Sequence, residues 1–260
     1  MSKVYCVLFL SFAFCLSAAS QTIKELQLQI ANTKNAKKQV DLYNVLALKQ
    51  LRANDKAAKI TAEKSLALAR EEGYKAGEVT AILQTVFIGE KTNSNQLQQE
   101  KLVEALAIAQ SIADQKLIAD CYQAFSQEFF SKAQYDKSIE YALKSLSLNE
   151  KINNTKGIIA SKTKLAQVYQ MREELPKAEA MLLDILTYPD TRKNNYSITL
   201  HTLANVYGMQ GKYKEALAID EIGLKHCDSV GSINLKSSFY DNMANCYMYS
   251  GNFAEAKKFN

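Results

Sequence analysis

Leucine recurs along the chain at positions 66, 106, 146, 186 and 224, at spacings of 40, 40, 40 and 38 residues. Eight positions before these leucines stand Ala58, Gln98, Ser138, Ala178 and Ala216, and Ala256 continues the series. Ala62, Leu102, Ala142 and Leu182 fall four residues after the first four. Offsets of 0, 4, 7 and 8 return to one face of a helix with 3.6 residues per turn. The pattern predicts one amphipathic helix per repeat, in which small side chains admit a close neighbour and leucine supplies buried area. Gln98 and Asp220 place polar groups on that apolar face, so the packing has to accommodate them locally.

A second helix precedes this one in each repeat. Ser126–Phe129, Ala166–Tyr169, Ala204–Tyr207 and Ala244–Tyr247 pair a small residue with an aromatic three positions on, in register with the later helix. Gln210-Gly211-Lys212-Tyr213 and Ser250-Gly251-Asn252-Phe253 read as the turns between the two helices. Glycine releases the helix end there, and the apolar residue two positions on packs back into the corner. Pro176 falls at the start of a second helix, where its missing N–H costs nothing, and Pro189 falls between repeats. The expected fold is all-α: a right-handed superhelical solenoid of antiparallel helix pairs, about six units over residues 36–260.

The segments LANVYGMQGKYKEALAIDEIGL (203–224) and MANCYMYSGNFAEA (243–256) resemble tetratricopeptide repeats. The resemblance is weakest in the first two units, where Lys49 and Gly89 stand in place of the aromatic. A period of forty against the family's usual length of about 34 implies helices extended by roughly a turn. Long units of this kind, with the opening IKELQLQIANTKNAKKQVDLYNVLA, also resemble the exported sensor regions of bacterial histidine kinases and related regulators.

Residues 1–20 do not fit the repeat. Lys3 precedes a mostly apolar run over residues 4–16, and Ser17-Ala18-Ala19-Ser20 supplies small residues before polar sequence begins at Gln21. This is the pattern of a secretory signal peptide, and it predicts an exported, periplasmic mature chain. Residues 21–35 are expected to form an N-terminal capping helix, opened by the capping-box pair Thr22 and Glu25. At the other end, Asn260 falls inside the second helix of the sixth unit, so that unit is expected to be truncated and the chain to be part of a longer protein.

Composition narrows the chemistry. Nine glycines, two prolines and no tryptophan in 260 residues suit a helical chain. A net charge of +5, falling to +4 without Lys3, is too small and too scattered to point to nucleic acid. Three cysteines remain after the leader (Cys121, Cys227 and Cys246), and they read as buried thiols, with a Cys227–Cys246 bridge as the alternative. The two histidines lack ligand partners at metal-site spacing, and neither a phosphate-binding glycine loop nor a nucleophile elbow occurs. No catalytic residue, metal or cofactor is expected.

In the tetratricopeptide family the first helix of each unit lines a concave groove that binds peptides. The resemblance places Ala47, Phe87, Gln127, Gln167, Asn205 and Asn245 on that groove, just after the small residue of each first helix. Gln123, Thr163, His201 and Asp241 stand one turn earlier, and Gln170 lies three residues beyond Gln167. The expected peptide-binding set is therefore Gln123, Gln127, Gln167, Gln170, His201, Asn205, Asp241 and Asn245. Amide side chains offer both donor and acceptor to an extended backbone. His201 and Asp241 occupy places where carboxylate-binding lysines of the family would be expected, so specificity for a terminal carboxylate is not implied. The expected function is a non-catalytic, exported scaffold for a protein or peptide. The alternative is the periplasmic sensor region of a membrane-bound signalling protein, with its membrane helix and output domain beyond residue 260.

Overall fold

The computed structural model describes residues 22–53, 55–90, 96–189, 191, 196–230 and 233–259, so the expected signal peptide lies outside the described residues. Among them the backbone is helical throughout, with no strand. Contacts gather the chain into two compact units, one ending at Ala124 and the other beginning at Phe125. The first contains α1 (Ile23–Asn32), α2 (Ala36–Arg52), α3 (Ala57–Glu71), α4 (Lys75–Glu90) and α5 (Gln96–Ser111). Helix α6 (Gln115–Ser131) spans the boundary. The second unit continues with α7 (Tyr135–Lys151), α8 (Thr155–Met171), α9 (Leu175–Thr187), α10 (Tyr196–Met209), α11 (Tyr213–Val230), α12 (Ile233–Tyr249) and α13 (Phe253–Ala256). No described helix is long and apolar enough to cross a membrane.

Successive helices pack on one another within each unit. The first helices of neighbouring pairs also touch, α2 against α4 in the first unit and α10 against both α8 and α12 in the second. Helix α1 starts with a closed capping box: Thr22 N–H donates to Glu25 Oε2 at 2.6 Å and Glu25 N–H to Thr22 Oγ1 at 3.2 Å.

The forty-residue period resolves into two halves of twenty. Helices α6, α7 and α8 are each 17 residues long, and three-residue turns follow them. A left-handed residue stands at each of seven helix ends: Gly73, Ala113, Ala133, Asn153, Glu173, Gly211 and Gly251. After α6, Gln134 N–H reaches back to Phe129 O at 2.9 Å and Ala133 N–H to Phe130 O at 3.0 Å. After α10, Lys212 N–H and Gly211 N–H make the same pair to Tyr207 O and Gly208 O. These bonds satisfy carbonyls that the helix leaves without partners, so the turn forms even where the residue is not glycine.

The left-handed conformation costs a side-chain-bearing residue roughly 1–2 kcal/mol. A Cβ at Gly211 would meet nothing within 4 Å, so only backbone strain is at issue there. We expect Gly211→Ala to lower stability by about 1 kcal/mol. Ala133→Gly should raise it by about half as much, because glycine also gains freedom in the unfolded chain. Urea denaturation midpoints of the two variants check both signs.

The second helices bury the line i, i+4, i+7, i+11. Ala58, Ala62, Ser65 and Ala69 occupy it in α3, and Gln98, Leu102, Ala105 and Ala109 in α5. In α7 the line is Ser138, Ala142, Ser145 and Asn149, and in α11 it is Ala216, Asp220, Gly223 and Cys227. The recurrent Leu66, Leu106, Leu146, Leu186 and Leu224 lie only half-buried at the edge of this stripe. The periodicity therefore locates the packing face but sets its centre one residue too far along. Polar groups on the line find local partners: Ser65 Oγ donates to Asn44 Oδ1 at 2.8 Å, and Ser126 and Ser138 bond to each other's backbone oxygens. The exceptions are Gln98, with both side-chain polar atoms buried and unpartnered, and the Oδ1 of Asp220.

A candidate peptide groove on the second unit

Ser126, Ala166, Ala204 and Ala244 are buried along the first helices, which leaves the next residue at the edge of the packed face. Gln127, Gln167 and Asn205 are half-buried in that register and Asn245 is exposed. The four share the 40-, 38- and 40-residue spacing of the helices that carry them. Gln123, one turn earlier on α6, belongs to the first unit. In that unit the same register holds a buried Ala47 and an exposed Phe87, so it offers no amide.

Gln127 and Gln167 are tied together by a residue that the sequence reading does not single out. Lys164 Nζ donates to Gln127 Oε1 at 2.5 Å and to Gln167 Oε1 at 2.8 Å, and it sits 4.4 Å from the centre of the Phe130 ring. Its stem is nearly buried. The sequence signal for it is its position three residues before Gln167, one helical turn away on the same face. A cation held by two amide oxygens and an aromatic face gives this part of the groove a positive character.

His201 and Asn205 form the next step. Asn205 Nδ2 lies 3.3 Å from His201 Nε2, and the ring packs edge-on against Phe239 with centroids 5.5 Å apart. Burial pushes the imidazole below its ordinary pKa, while a backbone hydrogen bond at Ser238 and the Asp241 carboxylate act in the opposite direction. The contact couples the Asn205 amide to the imidazole across one turn of α10, with the donor set by the imidazole tautomer. Asp241 is exposed beside this pair.

Beyond Asn205 a cavity of about 520 Å³ opens between α8, α10, the start of α11 at Tyr213, and α12. Gln170, Asn205, Asn242 and Asn245 supply its polar lining, and Met209 and Tyr249 stand on it as exposed apolar side chains. Gln170 Nε2 contacts Met209 Sδ at 3.5 Å, which joins the rims contributed by α8 and α10. Behind the cavity Asn242 Nδ2 donates to Asp220 Oδ2 at 2.7 Å, whereas Asp220 Oδ1 is buried without a partner. Burial pushes the Asp220 carboxyl up to about 7. Burial, with help from the Asp220 charge, also raises the Cys246 thiol to about 11. Cys121, Cys227 and Cys246 are all free and buried, so the Cys227–Cys246 bridge does not form.

Of the expected set, Gln170, Asn205 and Asn245 therefore line one cavity, His201 and Asp241 adjoin Asn205, and Gln127 and Gln167 meet through Lys164.

Antiparallel helix pairs in constant register, closed by the same turn, give the chain the fold of tetratricopeptide-repeat solenoids. The family profile described as Tetratricopeptide repeat matches residues 198–221, which fall on α10 and α11. Solved structures share the fold. BtubC from P. vanneervenii is similar with a TM-score of 0.68 at 17% identity, over 77% of this chain and 86% of that one. NprR in complex with its cognate peptide NprX is similar with a TM-score of 0.69 at 17% identity, over 98% of this chain and 74% of that one. A signal-transduction ATPase with a tetratricopeptide repeat sensor, from Pyrococcus horikoshii, is similar with a TM-score of 0.62 at 14% identity, over 91% of this chain and 37% of that one. No curated protein matches the chain in sequence.

Proposed function

We propose that this protein is a non-catalytic, exported scaffold whose second unit binds an extended peptide or protein segment along Gln127, Gln167, Asn205 and Asn245. The observation that carries the reading is the cavity on which Asn205, Asn245 and Gln170 converge. The Asn205 and Asn245 amides on its lining offer both donor and acceptor to a ligand backbone. The similarity to NprR, whose structure holds a peptide, supports the same use of the fold.

Each amide-to-backbone bond contributes about 0.5–1.5 kcal/mol net. Replacing Asn205 and Asn245 together by alanine should weaken binding by about ten- to a hundredfold. Peptides selected from a random display library on the wild-type chain serve as the probe, and fluorescence anisotropy reads the affinity. Unchanged affinity in the double variant would move the contact surface away from this groove. The export part of the proposal rests on Lys3, the apolar run and the small residues that follow. N-terminal sequencing of the exported fraction should then give a start near Gln21, and an intact Met1 would remove it.

The Pyrococcus horikoshii structure favours a second reading, in which the chain is the sensory part of a signalling protein. A ligand would then have to bind one conformation better than another, and a tenfold difference, about 1.4 kcal/mol, gives a modest bias. A run of about twenty apolar residues encoded after codon 260 would mark this reading as the better one.

A further inference from the structure

The cavity exists because one side chain is missing. Three residues past the groove amide, the first helices carry Phe130 in α6, Gln170 in α8, Gly208 in α10 and Met248 in α12. Only α10 has nothing there to fill the space beside its amide. Gly208 is not required by the backbone, because the left-handed turn after α10 is made by Gly211. Nor is it required by packing: a Cβ on it would meet only Asn242 Oδ1 and Cys246 Sγ, each at an ordinary 3.8 Å. Glycine is the weakest helix former after proline, so the position sacrifices helix stability without a structural return. What the missing side chain gains is room.

The character of that room is uncharged. Asn205, Asn242 and Asn245 line it with amides, Met209 and Tyr249 with apolar surface, and no acidic or basic side chain does so among the described residues. Asn242 has its N–H engaged by Asp220, and its oxygen is one of the two atoms nearest Gly208. A charged ligand group would enter without a counter-charge, at a desolvation cost that nothing in the cavity offsets. The size, about 520 Å³, falls inside the range of roughly 300–1,000 Å³ typical of ligand pockets.

We propose that this cavity is the residue-selecting subsite of the groove: it takes one uncharged, apolar side chain of the bound peptide, of leucine, methionine or phenylalanine size, and Gly208 is the specificity-determining residue that makes room for it. The proposal rests on the peptide-binding reading above.

The test is a random-peptide display selection on the full mature chain, repeated on Gly208→Ala and Gly208→Leu. Wild type should enrich peptides with a large apolar residue at one fixed position. Gly208→Ala should bind those peptides about tenfold more weakly without a lower melting temperature, and Gly208→Leu should select a small residue at the same position. Opposite directions in stability and binding separate a subsite from a general loss of structure. Enrichment of charged residues at that position, or the same preference and affinity in all three proteins, would overturn the subsite. If peptides so selected still lose affinity when Asn205 and Asn245 become alanine, the groove reading survives that failure. Recovery of no peptide from wild type would overturn both.

Discussion

Replacing Phe239 with alanine will destabilise the second unit by about 3–5 kcal/mol, the range for emptying a buried aromatic site. Phe239 is fully buried and packs in one cluster with Leu200 and Cys227. Its ring has room because α11 carries Gly223 at the position where other second helices hold Ser65, Ala105, Ser145 and Ile185. A Cβ on Gly223 would run into that ring. The other edge of the ring meets His201, so the same side chain that fills the core also holds the imidazole that positions Asn205. Phe239→Ala should therefore weaken peptide binding as well as lower the denaturation midpoint. Gly223→Ala should cost about 1–3 kcal/mol by overpacking. Combined with Phe239→Leu, it should cost less than the sum of the two changes, because the residues share one space. A loss below 1 kcal/mol for Phe239→Ala would mean that the ring is not the keystone of this cluster.

The sequence makes the repeat legible because its determinants are local. Side-chain size at four-residue intervals, Gly211 and Gly251 after helix ends, and Pro176 at a helix start each act within one or two turns of chain. Non-local fit is where the reading thins. Leu146 and its equivalents have the right period, but whether a neighbouring helix covers offset 7 or offset 8 depends on a crossing angle that no single helix encodes. The turns at Ala133, Asn153 and Glu173 carry no glycine to announce them, and the backbone bonds that close them become visible only in three dimensions. The amide register of the site is legible because it rides on the same period as the fold. Lys164, one turn from Gln167 but reaching across to Gln127 on another helix, and the cavity at Gly208, defined by an absence flanked by four helices, are not.

Asp220 interrupts the apolar pattern in sequence, and its expected signature is a stability that falls as pH rises. Its carboxyl has an ordinary pKa of 3.8 in the unfolded chain and one of about 7 in the folded state, where burial outweighs the single bond from Asn242. Below the unfolded value both states hold the proton and nothing is lost. Between the two values the folded state binds more protons than the unfolded state, so stability declines with rising pH. Above about 7 the loss is complete. Three pKa units at 1.36 kcal/mol each put the loss on the order of 4 kcal/mol, enough to consume much of a small unit's margin. His201 works in the other direction: its lowered folded pKa removes stability as pH falls through its unfolded value. Asp220→Asn isolates the carboxyl, since His201 contributes equally to both proteins. The stability of the variant, read by chemical denaturation at each pH, should match wild type near pH 4 and exceed it by a margin that widens up to about pH 7 and then holds. A difference that stays constant across that range would mean that Asp220 finds a partner for its charge in the folded protein, and that the cost of its buried, unpartnered oxygen is met elsewhere.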